Sequence, residues 1–220
     1  MSAAPRKARV LIVEDHPIFR EGLAKLVNRQ ADLLVCAEAA TPREALAAVE
    51  KHAPEVAVLD LVLNGAGGIE MIKQLRALFP QLGILVLSMH EESVYAERVL
   101  RAGASGYVMK QEASGTVIAA IRAVLAGEIH VSRKITVSLM QKALAAPEIC
   151  VGDVPAHLSN RELQVFELIG AGIATREIAT RLGLSVKTIE THRENIKHKL
   201  DLPNGAELVN RAQTWVRGAV

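Results

Sequence analysis

The sequence predicts an α/β domain of five βα units, followed by a smaller all-helical domain. Three observations carry this reading. Short apolar runs alternate with amphipathic stretches over residues 7–126. Those runs are apolar at nearly every position, as strands of a parallel sheet buried on both faces require. From Ser159 onward the strand-like runs cease, and helical periodicity with capping signals takes over.

Strands are read over 8–14, 33–38, 56–60, 83–88 and 106–109, and helices over 17–30, 42–52, 68–78, 92–102 and 113–126. Residues 127–156 change character: Gly127, Pro147, Gly152 and Pro155 mark a linker, with a helical stretch near 133–145. The rest fits four helices, 159–170, 175–182, 186–200 and 205–217, the first three separated by Gly172 and Gly183. Ser159 with Glu162 forms a capping box, and Ser185 caps the third helix. The expected domains are 1–126 and 157–220, joined by 127–156.

Composition narrows the class. With half of 220 residues apolar, both domains can bury real cores. No apolar run reaches the ~18 residues of a membrane span, and the short basic start is expected to lead into a strand rather than a signal peptide. Cys36 and Cys150 are far apart, so no disulfide framework is implied and a reducing cytoplasm fits. Cys36 reads as core and Cys150 as a linker thiol. The net charge of +2 does not by itself indicate nucleic acid. The seven histidines show no metal-ligand spacing, so no zinc site is expected. His16 reads either as a pocket residue or as a solvated helix-start residue; His90 lies two residues past Ser88.

The strand ends carry the chemistry. Glu14 and Asp15, Asp60, Ser88 and Lys110 each follow or end an apolar run, and in a parallel sheet such ends converge on one crevice. Three carboxylates repel one another unless a hard cation joins them, and Mg²⁺ or Mn²⁺ prefers oxygen ligands. Asp15 and Asp60 are expected to bind it directly with the Val62 main-chain carbonyl, and Glu14 directly or through water. Asp60 is the candidate nucleophile, with Lys110 and the Ser88 hydroxyl on phosphoryl oxygens, so that transfer rests on positioning and electrostatics. A phosphohydrolase of the haloacid-dehalogenase type would need a second aspartate two residues after the nucleophile; Val62 stands there.

Glu14-Asp15, Asp60, Gly68, Ser88, Ala104-Ser-Gly-Tyr107 and Lys110 together resemble the receiver domain of response regulators, over about residues 7–126. The resemblance implies a flavodoxin-like (βα)5 fold, a phosphoacceptor at Asp60 served by a sensor histidine kinase, and a switch pair of Ser88 and Tyr107. It also implies a domain that assists its own phosphorylation without acting on an external substrate. Where family members often carry Met-Pro, this chain has Leu63-Asn64 before a glycine-rich stretch, which implies a more flexible loop. A phosphorylation-independent DNA-binding module, its receiver only a scaffold, is the other class; the intact acid, hydroxyl and lysine set argues against it.

Leu158-Ser-Asn-Arg-Glu162, Ala174-Thr-Arg-Glu-Ile-Ala179 and Leu182-Gly-Leu-Ser-Val-Lys-Thr-Ile-Glu-Thr-His192 resemble the LuxR-type helix-turn-helix, and with the receiver the chain resembles the NarL/FixJ family. The residues agree: a short glycine turn joins two helices. A helical wheel puts Val186, Ile189, Ile196 and Leu200 on one face and Lys187, Thr191, Glu194 and His198 opposite. Lys187 and Thr188 suit phosphate contacts near a helix start, and Lys197 and Lys199 suit phosphate or solvent. Glu190, Thr191 and Glu194 hold the positions that read bases in this family. In the last helix, part of the stripe Leu208, Val209, Ala212, Trp215 and Val216 must pack inward, and the resemblance implies a dimer interface at Leu208, Val209 and Ala212. Expected partners are a sensor kinase, double-stranded promoter DNA, RNA polymerase, and a second copy when phosphorylated, with no membrane.

Overall fold

The computed structural model describes residues 6–63, 66–144 and 158–218. The chain divides into two compact units, with the break between residues 146 and 147. Among the described residues no helix is long and apolar enough to cross a membrane.

In the first unit β1 (Ala8–Val13), β2 (Leu33–Ala39), β3 (Val56–Leu59), β6 (Gly83–Ser88) and β7 (Gly106–Met109) form one parallel sheet in the order β2-β1-β3-β6-β7. A separate two-residue pair, β4 (Val62–Leu63) and β5 (Ala66–Gly67), follows β3. Pieces this short carry no periodicity, so no sequence signal announces them. Asn64 and Gly65, in the stretch expected to be flexible, lie outside the described residues. The helices are α1 (Pro17–Asn28), α2 (Pro42–His52), α3 (Gly68–Leu78), α4 (Glu92–Ala102) and α5 (Ser114–Leu125).

Val10 to Val13 and Val56 to Leu59 are at most 1% exposed, which explains why β1 from Val10 onward and the whole of β3 are apolar. Each such side chain contributes about 1.5–3 kcal/mol on full burial. Val10, Ile12, Val58, Leu85 and Leu87 of the sheet pack with Leu23 and Val27 of α1 and with Ile118 and Ile121 of α5. In this doubly wound order β1 lies between β2 and β3, so the chain's progress across the sheet reverses there. A crevice opens beyond the carboxyl ends of β1 and β3.

The expected linker is split by the structure. Residues 145–156, including Cys150, lie outside the described residues. Residues 127–144 belong to the first unit. His130 adds a bridge to the edge of β7: its N–H donates to the Ser105 carbonyl at 3.0 Å, and its carbonyl accepts from the Tyr107 N–H at 2.8 Å. The Glu92 carboxylate, at the start of α4, accepts the Ser132 N–H at 2.7 Å. There α6 (Arg133–Leu144) begins, with Ile135 buried.

The second unit holds α7 (Asn160–Gly170), α8 (Thr175–Arg181), α9 (Val186–Lys199) and α10 (Gly205–Gly218). The capping box forms as its sequence requires: Ser159 Oγ accepts the Glu162 N–H, and Glu162 Oε2 accepts the Ser159 N–H at 2.7 Å. The same Oε2 lies 2.7 Å from Lys199 Nζ. Lys199 therefore ties α9 to α7; the expectation that it reaches phosphate or solvent is corrected, because a buried carboxylate needs a cationic partner. Arg161 donates to the Leu182 carbonyl at 2.8 Å, bracing the turn where Gly183 takes φ +62, a left-handed value that glycine adopts without a Cβ penalty.

Two further expectations change. Leu208 and Ala212 are fully buried inside the unit. A Cβ on Gly170 would lie 2.5 Å from the Ala212 carbonyl oxygen, so α10 sits too close on α7 for either residue to face a second chain. Of the three interface residues, only Val209 stays partly exposed. Val186 is 38% exposed, although Ile189 and Ile196 are fully buried. At 100° per residue it stands about 60° and 80° round the axis from those two, at the edge of the stripe.

Glu92→Ala removes the acceptor that starts α6, a loss of about 1–2 kcal/mol confined to that segment. Hydrogen exchange followed by mass spectrometry is expected to show protection over 128–144 falling roughly tenfold, with β1 and β3 unchanged.

Acid is expected to loosen the second unit in two steps. Burial holds the His192 imidazole below its ordinary pKa of 6.5; Glu162 opposes this and Arg161 adds to it. Its contribution is present above 6.5 and is lost as the pH falls toward the lower folded value. For Glu162 burial acts to raise the pKa, but Lys199 and Ser159 outweigh it and the carboxyl lies below 4.5, so its contribution is lost at still lower pH. Trp215, the chain's one tryptophan, packs tilted against Phe166 with ring centroids 5.8 Å apart and reports this unit selectively. Its fluorescence midpoint in urea is expected to fall between pH about 7.5 and about 5.5, and His192→Asn to flatten that dependence.

Candidate functional site

The polar groups of the crevice sit just past the strands and remain inside the sheet's hydrogen bonding. The Glu14 N–H donates to the Ala39 carbonyl at 2.9 Å, the Asp60 N–H to Val13 at 2.9 Å and the Lys110 N–H to Ser88 at 2.8 Å. Backbone pairing thus fixes where these side chains start. Lys110 Nζ lies 2.6 Å from Glu14 Oε2 and 2.9 Å from Asp60 Oδ2. All three side chains are more than nine-tenths buried. The Phe19 ring of α1 stacks under the ammonium at 4.5 Å, a cation–π contact.

Burial pushes the Asp60 carboxyl above its ordinary pKa, and the Lys110 hydrogen bond recovers only part of the shift. For Lys110 burial works against the charged form, but Glu14 and Asp60 outweigh it and raise the pKa. The ammonium therefore stays charged at neutral pH. It occupies one oxygen of each carboxylate.

Asp15 and His16 complete the cluster: ligand-capable atoms of Glu14, Asp15, His16 and Asp60 all lie within 4.8 Å of one another. Three carboxylates against one ammonium leave residual negative charge on hard oxygen donors, which suits a divalent cation. Val62 directs its N–H toward Asp60 Oδ1 at 3.4 Å.

Ser88 is fully buried, and its hydroxyl accepts the His90 N–H at 3.2 Å. The Tyr107 ring is also buried, and its hydroxyl donates to the His90 carbonyl at 2.7 Å. Both hydroxyls of the expected switch pair thus meet on the backbone of one residue. The Tyr107 ring lies inside, where that hydrogen bond holds it.

Phe19, Arg20 and the His90 backbone escape sequence reasoning. Arg20 donates to the Glu14 carbonyl at 2.6 Å. The apolar spacing of Phe19, Leu23 and Val27 was signal enough to turn Phe19 inward. Nothing local marks a backbone that serves two hydroxyls.

On α9, Lys187, Glu190, Thr191 and Glu194 are exposed, as the wheel requires. Several are already engaged. Thr188 Oγ1 lies 2.8 Å from the capping Ser185 hydroxyl, and the Thr191 hydroxyl donates to the Lys187 carbonyl at 3.0 Å. Lys197, mostly buried, pairs with Glu194 at 2.9 Å.

The family model described as the response regulator receiver domain matches residues 10–122, and that of bacterial regulatory proteins of the luxR family matches 156–212. The oxygen regulatory protein NreC of Staphylococcus haemolyticus is 36% identical over 208 residues, covering 93% of this chain and 96% of that protein. A solved two-component response regulator of the LuxR family from Aurantimonas sp. SI85-9A1 is 37% identical, with a TM-score of 0.58 over 63% of this chain and 99% of that one. RcsB from Salmonella enterica serovar Typhimurium, bound to promoter rprA in the presence of phosphomimetic BeF3-, is 27% identical, with a TM-score of 0.62 over 94% of this chain and 99% of that one. Two matched domains in this order, and a relative matched along nearly its whole length, place the chain in the NarL/FixJ family of response regulators, in which a receiver is joined to a LuxR-type DNA-binding domain.

Proposed function

We propose that Asp60 accepts a phosphoryl group from a sensor histidine kinase and that this controls promoter binding by α9. The observation that carries the reading is the Lys110 ammonium bridging Glu14 Oε2 and Asp60 Oδ2 at the carboxyl ends of three strands. A carboxylate oxygen of Asp60 attacks phosphorus as the bond to the kinase histidine nitrogen breaks. Lys110 and the Ser88 hydroxyl receive phosphoryl oxygens, and Tyr107, held on His90, reports the change. Glu14, Asp15, Asp60 and the Val62 carbonyl would hold Mg²⁺ or Mn²⁺, which neutralises charge on the transferred group. The chain assists this transfer to itself and turns over no external substrate.

At the DNA end, Lys187 and the free N–H groups at the start of α9 suit phosphate. Thr188 serves the cap first and phosphate second. Glu190 suits a base edge, such as a cytosine amine. Thr191 and Glu194 join it only by giving up their internal partners, which also frees Lys197. A second copy, engaged when Asp60 is phosphorylated, would meet this chain through a surface that includes Val209. RcsB bound to DNA beside a phosphomimetic supports linking the two events. Promoter binding implies a cytoplasmic protein working alongside RNA polymerase.

Asp60→Asn is expected to abolish labelling by acetyl phosphate, because an amide cannot form the acyl phosphate. Labelling of wild type is expected to stop in EDTA. Phos-tag electrophoresis reads both; full labelling of the variant overturns the assignment.

Lys187→Ala is expected to weaken binding to every sequence and to lower the slope of log K against log salt by about one unit. Glu190→Ala is expected to alter preference among sites by roughly 1–3 kcal/mol at the contacted base. Fluorescence anisotropy across a salt series and a panel of operators separates the two.

A further inference from the structure

We propose that His16 supplies a nitrogen ligand to the cation held by Glu14, Asp15 and Asp60, so that the pocket selects Mn²⁺ and later transition ions over Mg²⁺. The inference rests on reading the crevice as a cation site. His16 Nδ1 lies 2.9 Å from Asp15 Oδ1 and 3.1 Å from Glu14 Oε1. Neighbouring ligands on an octahedral ion with bonds of about 2.1 Å stand about 3.0 Å apart, so each of these two separations matches an edge of such a ligand shell. Lys110 is bonded to the other oxygens, Glu14 Oε2 and Asp60 Oδ2, which leaves Glu14 Oε1 turned toward the imidazole.

The backbone pre-sets this arrangement. The His16 N–H donates to Glu14 Oε1 at 3.1 Å, which curls the chain between β1 and α1 and brings three consecutive side chains to one point. The His16 side chain is 75% exposed, so an ion can enter beside it without opening the core. Mg²⁺ binds oxygen and gains little from imidazole, whereas Mn²⁺ gains more and Zn²⁺ more still. A cation preference is thus written into a residue that carries no carboxylate.

The test uses the full chain with Mn²⁺ and Mg²⁺ and no phosphoryl donor. Electron-spin-echo modulation of bound Mn²⁺ is expected to show a directly coordinated ¹⁴N in wild type and none in His16→Asn. Asparagine keeps an oxygen and caps α1 well, so folding and Mg²⁺ affinity should hold within about twofold while Mn²⁺ affinity falls roughly tenfold. Asp15→Asn is expected to weaken both ions. If it weakens neither, the reading of the crevice as a cation site fails. If Asp15→Asn behaves as expected but wild type shows no ¹⁴N, or His16→Asn weakens both ions equally, the imidazole is only a hydrogen-bond partner and this inference is overturned.

Discussion

One buried ammonium between two carboxylates holds the first unit's pocket together. Glu14 and Asp60 face each other across adjacent strands, and like charges about 4 Å apart repel by about 4 kcal/mol at an effective dielectric constant of 20. Lys110 offsets that repulsion at 2.6 and 2.9 Å, and Phe19 supports it from below. Removing the lysine would leave two buried anions unpaired, which costs far more than a surface pair returns. The balance stays incomplete because Asp15 adds a third anion, and that residual charge on hard oxygen donors suits a divalent cation.

The strand that leads into Lys110 also carries Tyr107 of the expected switch pair. β7 bears Tyr107, whose hydroxyl meets His90 just beyond Ser88, and whose N–H holds the carbonyl of His130. Pocket, expected switch residue and the 128–144 segment therefore meet on β7 and the residue that follows it. α4 closes the same circuit from the other side, since Glu92 at its start holds the first turn of α6. A displacement of the β6–α4 connection has two hydrogen-bonded routes into 128–144, one through Tyr107 and one through Glu92.

In the second unit the same economy of partners fixes α9. Glu162 caps α7 and clamps the end of α9 through Lys199, while Arg161 braces the turn before it. The helix is thus held at both ends, and its outward face is left for contact. That face is partly self-satisfied: Thr188, Thr191, Glu194 and Lys197 bond within the helix or its cap. Under the proposed promoter binding, Glu190 and Lys187 would make contact at lower cost, because Thr188, Thr191, Glu194 and Lys197 must first give up the partners just named.

Sequence alone determined the order of the main-sheet strands and their helices, the strand ends and the Ser159 and Ser185 caps, because these depend on local periodicity and on side chains within four residues. The five strands of the main sheet agree with the expected ranges to within one residue, and Ser159, Glu162 and Ser185 cap as their spacing requires. Glu14, Asp15, Asp60 and Lys110 were legible as one set because a parallel sheet must bring its carboxyl ends together. Pairings between distant residues were not legible. Lys199 on Glu162, Phe19 under Lys110 and His130 on the edge of β7 join segments far apart in the chain. Helical period marks a residue as apolar-facing without saying what covers it, so Leu208 and Ala212 could be assigned to a partner chain, and only the close approach of α10 to Gly170 placed them in the core. His16 shows the same division. Its neighbours in sequence were plain, but the convergence of three consecutive side chains on one point depends on the turn between β1 and α1, which only the folded chain supplies.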